Sequence, residues 1–238
     1  MFRSFELGGT GLRPIKVTQN YVKFGDGSCL FQMGDTKILC VATITEDRVP
    51  PHCEAKEIGW VSAEYAMLPR AGKERTARQR SIGSGRTHEI QRLIGRSLRA
   101  IVDLSKLGRR TIVIDCDVIQ ADGGTRTASI NGAFIALSQA IQKLIAEKKL
   151  FNNPIKSYIG AISVGMVNNK KILDMCCTED NAAQVDMNVV MTDKNEYIEV
   201  QSTAEGKVFT DKDMKEMLDL AKNGIKEIVK HQKKIIKL

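Results

Sequence analysis

RRTIVIDCDVIQADGGTRTASINGAFIALSQAIQKLI, residues 109–145, is the stretch from which the fold follows. RRTIVIDCDVI reads as a buried strand. Gly123-Gly124 breaks it, and Ile130, Phe134, Leu137, Ile141, Leu144 and Ile145 then recur at intervals of three and four, the period of a helix. The unit is strand, glycine turn, helix.

The same alternation extends in both directions. From Lys16 to Thr45 the pattern is strand-like, with GSCLFQM and TKILCVATIT separated by Gly34-Asp35, a two-residue hairpin signal. EIGWVSAEYAML, residues 57–68, is a further strand rich in aromatic and β-branched side chains. Between Arg86 and Leu107, residues Ile90, Leu93, Ile94, Leu98, Ile101 and Val102 predict one face of a long helix. Downstream, strands are expected near 158–167, 171–176, 184–191 and 197–202, separated by Asn-Asn and Asp-Lys-Asn turn signals. A last helix starts at Thr210, which with Asp213 has capping-box spacing. Clustered strands followed by helices, twice, predict an α+β sandwich and not a doubly wound parallel sheet. No Pro/Ser-rich linker or repeat divides the chain, so one continuous domain over residues 1–238 is the simplest reading.

Hydrophobic residues at 42% and charged residues at 27% exclude a disordered or fibrous chain. No apolar stretch is long enough for a membrane helix, and MFRSFELGGTGLRPIK has no secretory signal pattern; a cytoplasmic protein is expected. The six cysteines form no C-x-x-C pair and mostly lie in apolar runs, which disfavours a disulfide scaffold or structural zinc. Three widely spaced histidines make a histidine-based triad a poor candidate.

The net charge of +8 is concentrated. From Arg70 to Arg99, nine basic residues (Arg70, Lys73, Arg75, Arg78, Arg80, Arg86, Arg92, Arg96 and Arg99) face only Glu74 and Glu89. Eight are Arg, whose planar fork matches phosphate oxygens. The segment is either a solvated basic loop or a mobile surface for a nucleic-acid backbone, and its lack of aromatics argues against base stacking. Gly83-Ser84-Gly85-Arg86-Thr87 and Gly123-Gly124-Thr125-Arg126-Thr127 each open a helix, with Arg in the first turn. A cation there opposes the helix dipole and calls for an anion, of which phosphate is the obvious candidate. Neither turn is a P-loop or a dinucleotide fingerprint.

Glu179, Asp180 and Asp186 lie before and inside an apolar strand, where burial is costly without a cation or hydrogen bonds. Such carboxylates suit Mg²⁺ or Mn²⁺; alternatively Glu179 and Asp180 are turn residues and Asp186 faces water. Asp115, Asp117 and Asp122 form a second acidic group that either pairs with the arginines or lines the same cleft.

GSCLFQMGDTKILCVATI, GWVSAEYAMLPRA, SGRTHEIQRLIGRSLRAIVDL, TIVIDCDVIQADGGTRTASINGA, EDNAAQVDMNVVMT and EVQSTAEGKVF together resemble the bacterial ribonuclease PH family, over nearly the whole chain and in order. The resemblance implies the ribosomal-protein-S5-like α+β fold and a ring built as a trimer of dimers, a homohexamer. It implies a phosphate-dependent 3′ to 5′ exoribonuclease, a nucleotidyltransferase acting on single-stranded 3′ ends of RNA, with transfer-RNA precursors as substrates. It makes Arg86 and the turn Gly124-Thr125-Arg126 the site for inorganic phosphate, the co-substrate. Asp180 and Asp186 become the catalytic carboxylates, associated with a divalent metal, usually Mg²⁺, and Arg70, Arg75, Arg78 and Arg80 the RNA-contacting set. The chain departs from the family at Asn181 and Gln184, where Ser and Glu are usual, so a third acid is missing there.

The expected chemistry is attack of inorganic phosphate on the terminal phosphodiester, releasing a nucleoside 5′-diphosphate reversibly. Both partners are anions, so charge neutralisation and in-line positioning dominate. Whether an aspartate binds metal or protonates the departing 3′-oxygen stays open. The alternatives are a silent RNA-binding ring subunit, disfavoured because the turn and the aspartates are both present, and a small-molecule kinase, disfavoured by the missing P-loop Lys.

Overall fold

A computed structural model describes residues 9–78 and 83–238. The first sheet contains β1 (Ile15–Gln19), β2 (Gly27–Met33), β3 (Thr36–Glu46), β4 (Trp60–Met67) and β5 (Arg110–Gln120), in the order β1-β2-β3-β5-β4. Its pairings are antiparallel except β4 with β5, which run parallel. A parallel pair needs a crossover, supplied here by α2 (Gly85–Ala100) and α3 (Leu104–Leu107); the short α1 (Pro51–Glu54) precedes β4. After β5 comes α4 (Thr125–Ala146), and then a second, antiparallel sheet of β6 (Ile159–Val167), β7 (Lys170–Leu173), β8 (Val185–Thr192) and β9 (Tyr197–Ala204), in the order β7-β6-β8-β9. α5 (Cys177–Asn181) joins β7 to β8, and α6 (Asp211–Ile235) closes the chain. This is the expected α+β architecture, with Gly34-Asp35 turning the β2–β3 hairpin.

α4 lies between the layers. It packs on β2, β3 and β5 on one side and on β6 and β8 on the other, which is why it is buried almost all round. α6 covers the opposite face of the second sheet, so β6 and β8 are buried without a clear alternation. In the first sheet the alternation is sharp: Ile112, Ile114, Cys116 and Val118 face the core while Asp115 and Asp117 point the other way. β2 approaches α4 so closely that a Cβ on Gly27 would stand 2.1 Å from the carbonyl oxygen of Ala136.

Asn131, in the second turn of α4 and fully buried, is a polar link between helix and second sheet. Its Nδ2 donates to the carbonyl of Ala161 and its Oδ1 accepts from the N–H of the same residue, both at 2.9 Å. β7 pairs with β6 only from Val164 onward, so the amide takes the place of a strand at the edge that β7 leaves open.

Two expected elements are shorter. The helix predicted over 86–107 ends at Ala100, because Val102 pairs with Ile155 and the Asp103 N–H donates to the Pro154 carbonyl before a four-residue helix starts again. The strand expected over 171–176 stops at Leu173, because Asp174 turns into the left-handed region at φ +54°. The Thr210–Asp213 capping box forms as read.

Asn131→Leu leaves both backbone groups of Ala161 unpaired in the core. We expect a loss on the order of 3 kcal/mol, visible as a lower urea midpoint with an unchanged slope.

Candidate active site

A cleft of about 760 Å³ opens where the first turn of α4 meets α5, β8 and the loop after β4. Arg86, Gly123, Gly124, Thr125, Arg126, Asp180 and Asp186 all line it, so the two expected half-sites, cationic turn and carboxylates, come together in one place.

The two glycine turns are not equivalent. At α2 the Ser84 hydroxyl accepts from the Thr87 N–H at 3.1 Å, so a side chain already fills that helix start. At α4 the cap residue is Gly124, at φ +63°, and among the described residues no side-chain cap bond is made to the first-turn N–H groups. These groups and the positive end of a 22-residue, buried helix are left for an anion. Gly123, at φ +74°, is compulsory as well, because a Cβ there would lie 2.3 Å from the Met175 carbonyl oxygen.

Arg126 is held by Gln201 on β9, to whose Oε1 its Nη1 donates at 2.9 Å, with Glu89 of α2 at 3.5 Å. Arg86 is exposed and forms no ion pair among the described residues. Thr125 is anchored from behind by Tyr65, whose hydroxyl donates to the Thr125 Oγ1 at 3.0 Å. Burial pushes the Tyr65 phenol up, keeping it neutral as a donor.

Burial also raises the Asp180 carboxyl above the ordinary range, with Arg86 and Arg126 pulling it back and Glu205 adding to the rise. Asp186 is raised by burial and then by Asp180, and accepts one bond of 3.3 Å from Asn188. Two repelling carboxylates in one cleft are the charge arrangement that a divalent cation relieves. No group of three or more His, Cys, Asp or Glu among the described residues is set to cage a metal. Asp180 and Asp186 are the pair that could hold Mg²⁺, an ion that takes one or two carboxylates and completes its shell with water and substrate phosphates.

Glu205, which also lines the cleft, has no role in the reading of the sequence. It follows β9, and its N–H donates to the carbonyl of Gln184 at 3.0 Å, so a carboxylate stands beside the position where the family's usual Glu is replaced. Sequence spacing does not reveal this, since the pairing of β8 with β9 brings the two together. Asp122 lines the cleft too, whereas Asp115 and Asp117 lie on the outer face of the first sheet beside Glu64. Burial raises both, and Arg78 partly offsets the rise at Asp117.

Gly72, Lys73 and Glu74 represent the basic loop in the cleft wall; Arg70, Arg75 and Arg78 are exposed and do not line it, and Arg80 lies outside the described residues. Two further arginines of the basic run have structural contacts. Arg99 stacks on Trp60 at 4.2 Å and donates to the Val61 carbonyl, and Arg96 pairs with Glu199 on β9.

Residues 11–142 match domain 1 of the 3′ exoribonuclease family and residues 157–224 match its domain 2. The chain is 54% identical over 227 residues to Ribonuclease PH of Solibacter usitatus (strain Ellin6076), covering 94% of this chain and 95% of that protein. Among solved structures it is similar to the Archaeoglobus fulgidus exosome with RNA bound to the active site, with a TM-score of 0.79 at 19% identity over 93% of this chain and 89% of that one. It is also similar to rice (Oryza sativa) Rrp46, with a TM-score of 0.76 at 18% identity, over 94% of this chain and 95% of that one. At those identities the structures bear on the fold.

A carboxyl whose folded pKa exceeds its unfolded value costs stability wherever it is ionised, and the cost vanishes below the unfolded value of about 3.8. Without divalent cations, Asp186→Asn therefore melts higher than the parent near pH 7, by a few degrees, and the difference narrows as the pH falls. Calorimetry across pH 4 to 8 checks it.

Proposed function

This chain belongs to the 3′ exoribonuclease family, and on that premise we propose that it is a phosphate-dependent 3′ to 5′ exoribonuclease of the ribonuclease PH type. The observation that carries the reading is the single cleft lined by an uncapped helix start, two arginines and two neighbouring carboxylates. Substrates are single-stranded 3′ ends of RNA, transfer-RNA precursors among them.

Inorganic phosphate sits at the first-turn N–H groups of α4, held by Arg86 and Arg126, with Thr125 fixed by Tyr65 as a further contact. Two cations there offset the repulsion between the attacking phosphate and the phosphodiester, the largest electrostatic obstacle in a reaction between anions. One phosphate oxygen bonds to the scissile phosphorus while the bond to the 3′-oxygen breaks. The departing oxygen takes a proton and ends as a 3′-hydroxyl, and the nucleotide leaves as a 5′-diphosphate. Since one phosphoryl linkage replaces another, the reverse extension from nucleoside diphosphates uses the same groups.

Asp180 and Asp186 are the residues that would hold Mg²⁺ or Mn²⁺, which when bound supplies Lewis-acid stabilisation of the charge on the phosphoryl oxygens. Arg70, Arg75, Arg78 and Arg80 contact the RNA backbone, and of these the described Arg70, Arg75 and Arg78 are exposed outside the cleft. Their contribution is charge, so RNA affinity falls steeply with salt. The working form is a homohexameric ring in the cytoplasm. Oligomerisation is supported by the exosome assemblies named for the structural relatives and by Phe24 and Phe151, each 92% exposed in the single chain. Six free cysteines suit a reducing compartment.

With a labelled RNA carrying an unpaired 3′ tail, Mg²⁺ and phosphate, the protein releases nucleoside diphosphates. Arg126→Ala keeps RNA binding but lowers phosphate-dependent trimming by about a hundredfold or more; full activity in that variant removes the phosphate assignment. Asp180→Ala and Asp186→Ala each abolish turnover, and if both remain active the carboxylates are structural.

A further inference from the structure

We infer that Arg13 is a positioning residue, clamping the phosphate turn to the segment that carries the carboxylate helix; this deepens the phosphorolytic reading and rests on it. Arg13 lies just ahead of β1 and is 6% exposed. Its backbone N–H and its Nε donate to one carboxylate oxygen of Asp174, at 2.8 and 3.0 Å, and its Nη2 donates to the other at 2.6 Å. The rest of the guanidinium faces the turn: Nη1 donates to the carbonyl of Asp122, and Nη2 reaches that of Gly123 at 3.4 Å.

Two further side chains close the network. Thr36 donates to the Gly123 carbonyl at 2.7 Å and accepts from the Asp122 N–H at 3.0 Å. The Asp122 carboxylate stands 3.7 Å from the Arg13 Nη1 and accepts from the N–H of Cys177, at the start of α5, at 3.2 Å. Three remote segments are thereby tied together: the lead into β1, the turn before α4, and residues 174–177 leading to Asp180. A trans peptide carries its N–H opposite its carbonyl. Drawing the carbonyls of Asp122 and Gly123 toward Arg13 and Thr36 thus turns the N–H groups of Gly123 and Gly124 the other way.

Asp174 is 1% exposed and sits in the left-handed region, a conformation that a non-glycine residue keeps only where its surroundings enforce it. A buried ion pair is replaceable by apolar side chains with little loss of stability. What an apolar pair, or a lysine, cannot supply is a planar fork that serves a carboxylate and two carbonyls at once.

The test compares the full-length parent with Arg13→Lys and with the double variant Arg13→Met/Asp174→Asn, which removes both buried charges together and keeps at 174 a residue that tolerates the left-handed region. For each we measure melting temperature, RNA affinity without phosphate, KM for inorganic phosphate and for RNA, and calorimetric binding of inorganic phosphate. The clamp predicts that Arg13→Lys folds and binds RNA like the parent, yet shows a roughly tenfold higher KM for phosphate and weaker phosphate binding, as for one or two lost charge-assisted hydrogen bonds. A folded Arg13→Lys with parental phosphate KM and affinity overturns the proposal. Should the lysine variant not fold, the double variant decides in the same way. Should the parent bind phosphate but release no diphosphates, the reaction is refuted while the binding comparison still judges the clamp. No phosphate binding by the parent overturns both.

Discussion

The close approach of two backbones at Gly123 is the constraint on which the site depends. A single methyl group there would lie 2.3 Å from the Met175 carbonyl oxygen, so the turn that opens α4 lies directly against the segment that leads to α5. The first presents helix N–H groups and Arg126; the second delivers Asp180. α4 itself cannot shift to relieve the contact, since it is packed between two sheets and Asn131 docks it to the edge of β6. The fold therefore presents an anion subsite and a carboxylate pair side by side as a consequence of its core packing.

The cleft has an electrostatic tension that its chemistry uses. Asp180 and Asp186 are burdened by burial and Asp186 also by its neighbour, while Arg86 and Arg126 relieve Asp180. Carboxylates held this way are costly for the folded chain alone, and on the proposed reading a divalent cation and the phosphate groups would complete the charge balance. Arg126 is itself restrained by Gln201 and Glu89, so its guanidinium is already oriented in the chain alone, as the proposed phosphate contact requires.

Much of this was legible in the sequence because it is local. Period-2 and period-3.6 patterns expose the strands and α4, Gly34-Asp35 marks the hairpin, and Thr210 with Asp213 marks the start of α6. The pairing of Arg with glycine turns pointed to an anion, and the acids before β8 pointed to a cation. Long-range features were hidden. Nothing in GWVSAEYAML says that β4 runs parallel to β5, because the crossover through α2 sets that. Ser84 is extended and carries a hydroxymethyl group whose oxygen caps its own helix, whereas Gly124 is left-handed and has no side chain, and this separates a filled helix start from an open one. Glu205, Tyr65 and Arg13 reach the site across strand pairings or chain separations that no spacing rule encodes. Of the basic run, Arg99 proved to brace Trp60, a role that charge counting cannot distinguish from RNA contact.

The central claim is that inorganic phosphate, and not water, attacks the terminal phosphodiester within this cleft. The most direct measurement supplies ¹⁸O-labelled inorganic phosphate with Mg²⁺ and an RNA bearing an unpaired 3′ tail, and locates the label in the released nucleotide by mass spectrometry. Nucleoside 5′-diphosphates are expected with label in all four oxygens of the terminal phosphate, the bridging oxygen included, and in no other position. Unlabelled nucleoside monophosphates, released at the same rate with or without phosphate, would contradict it.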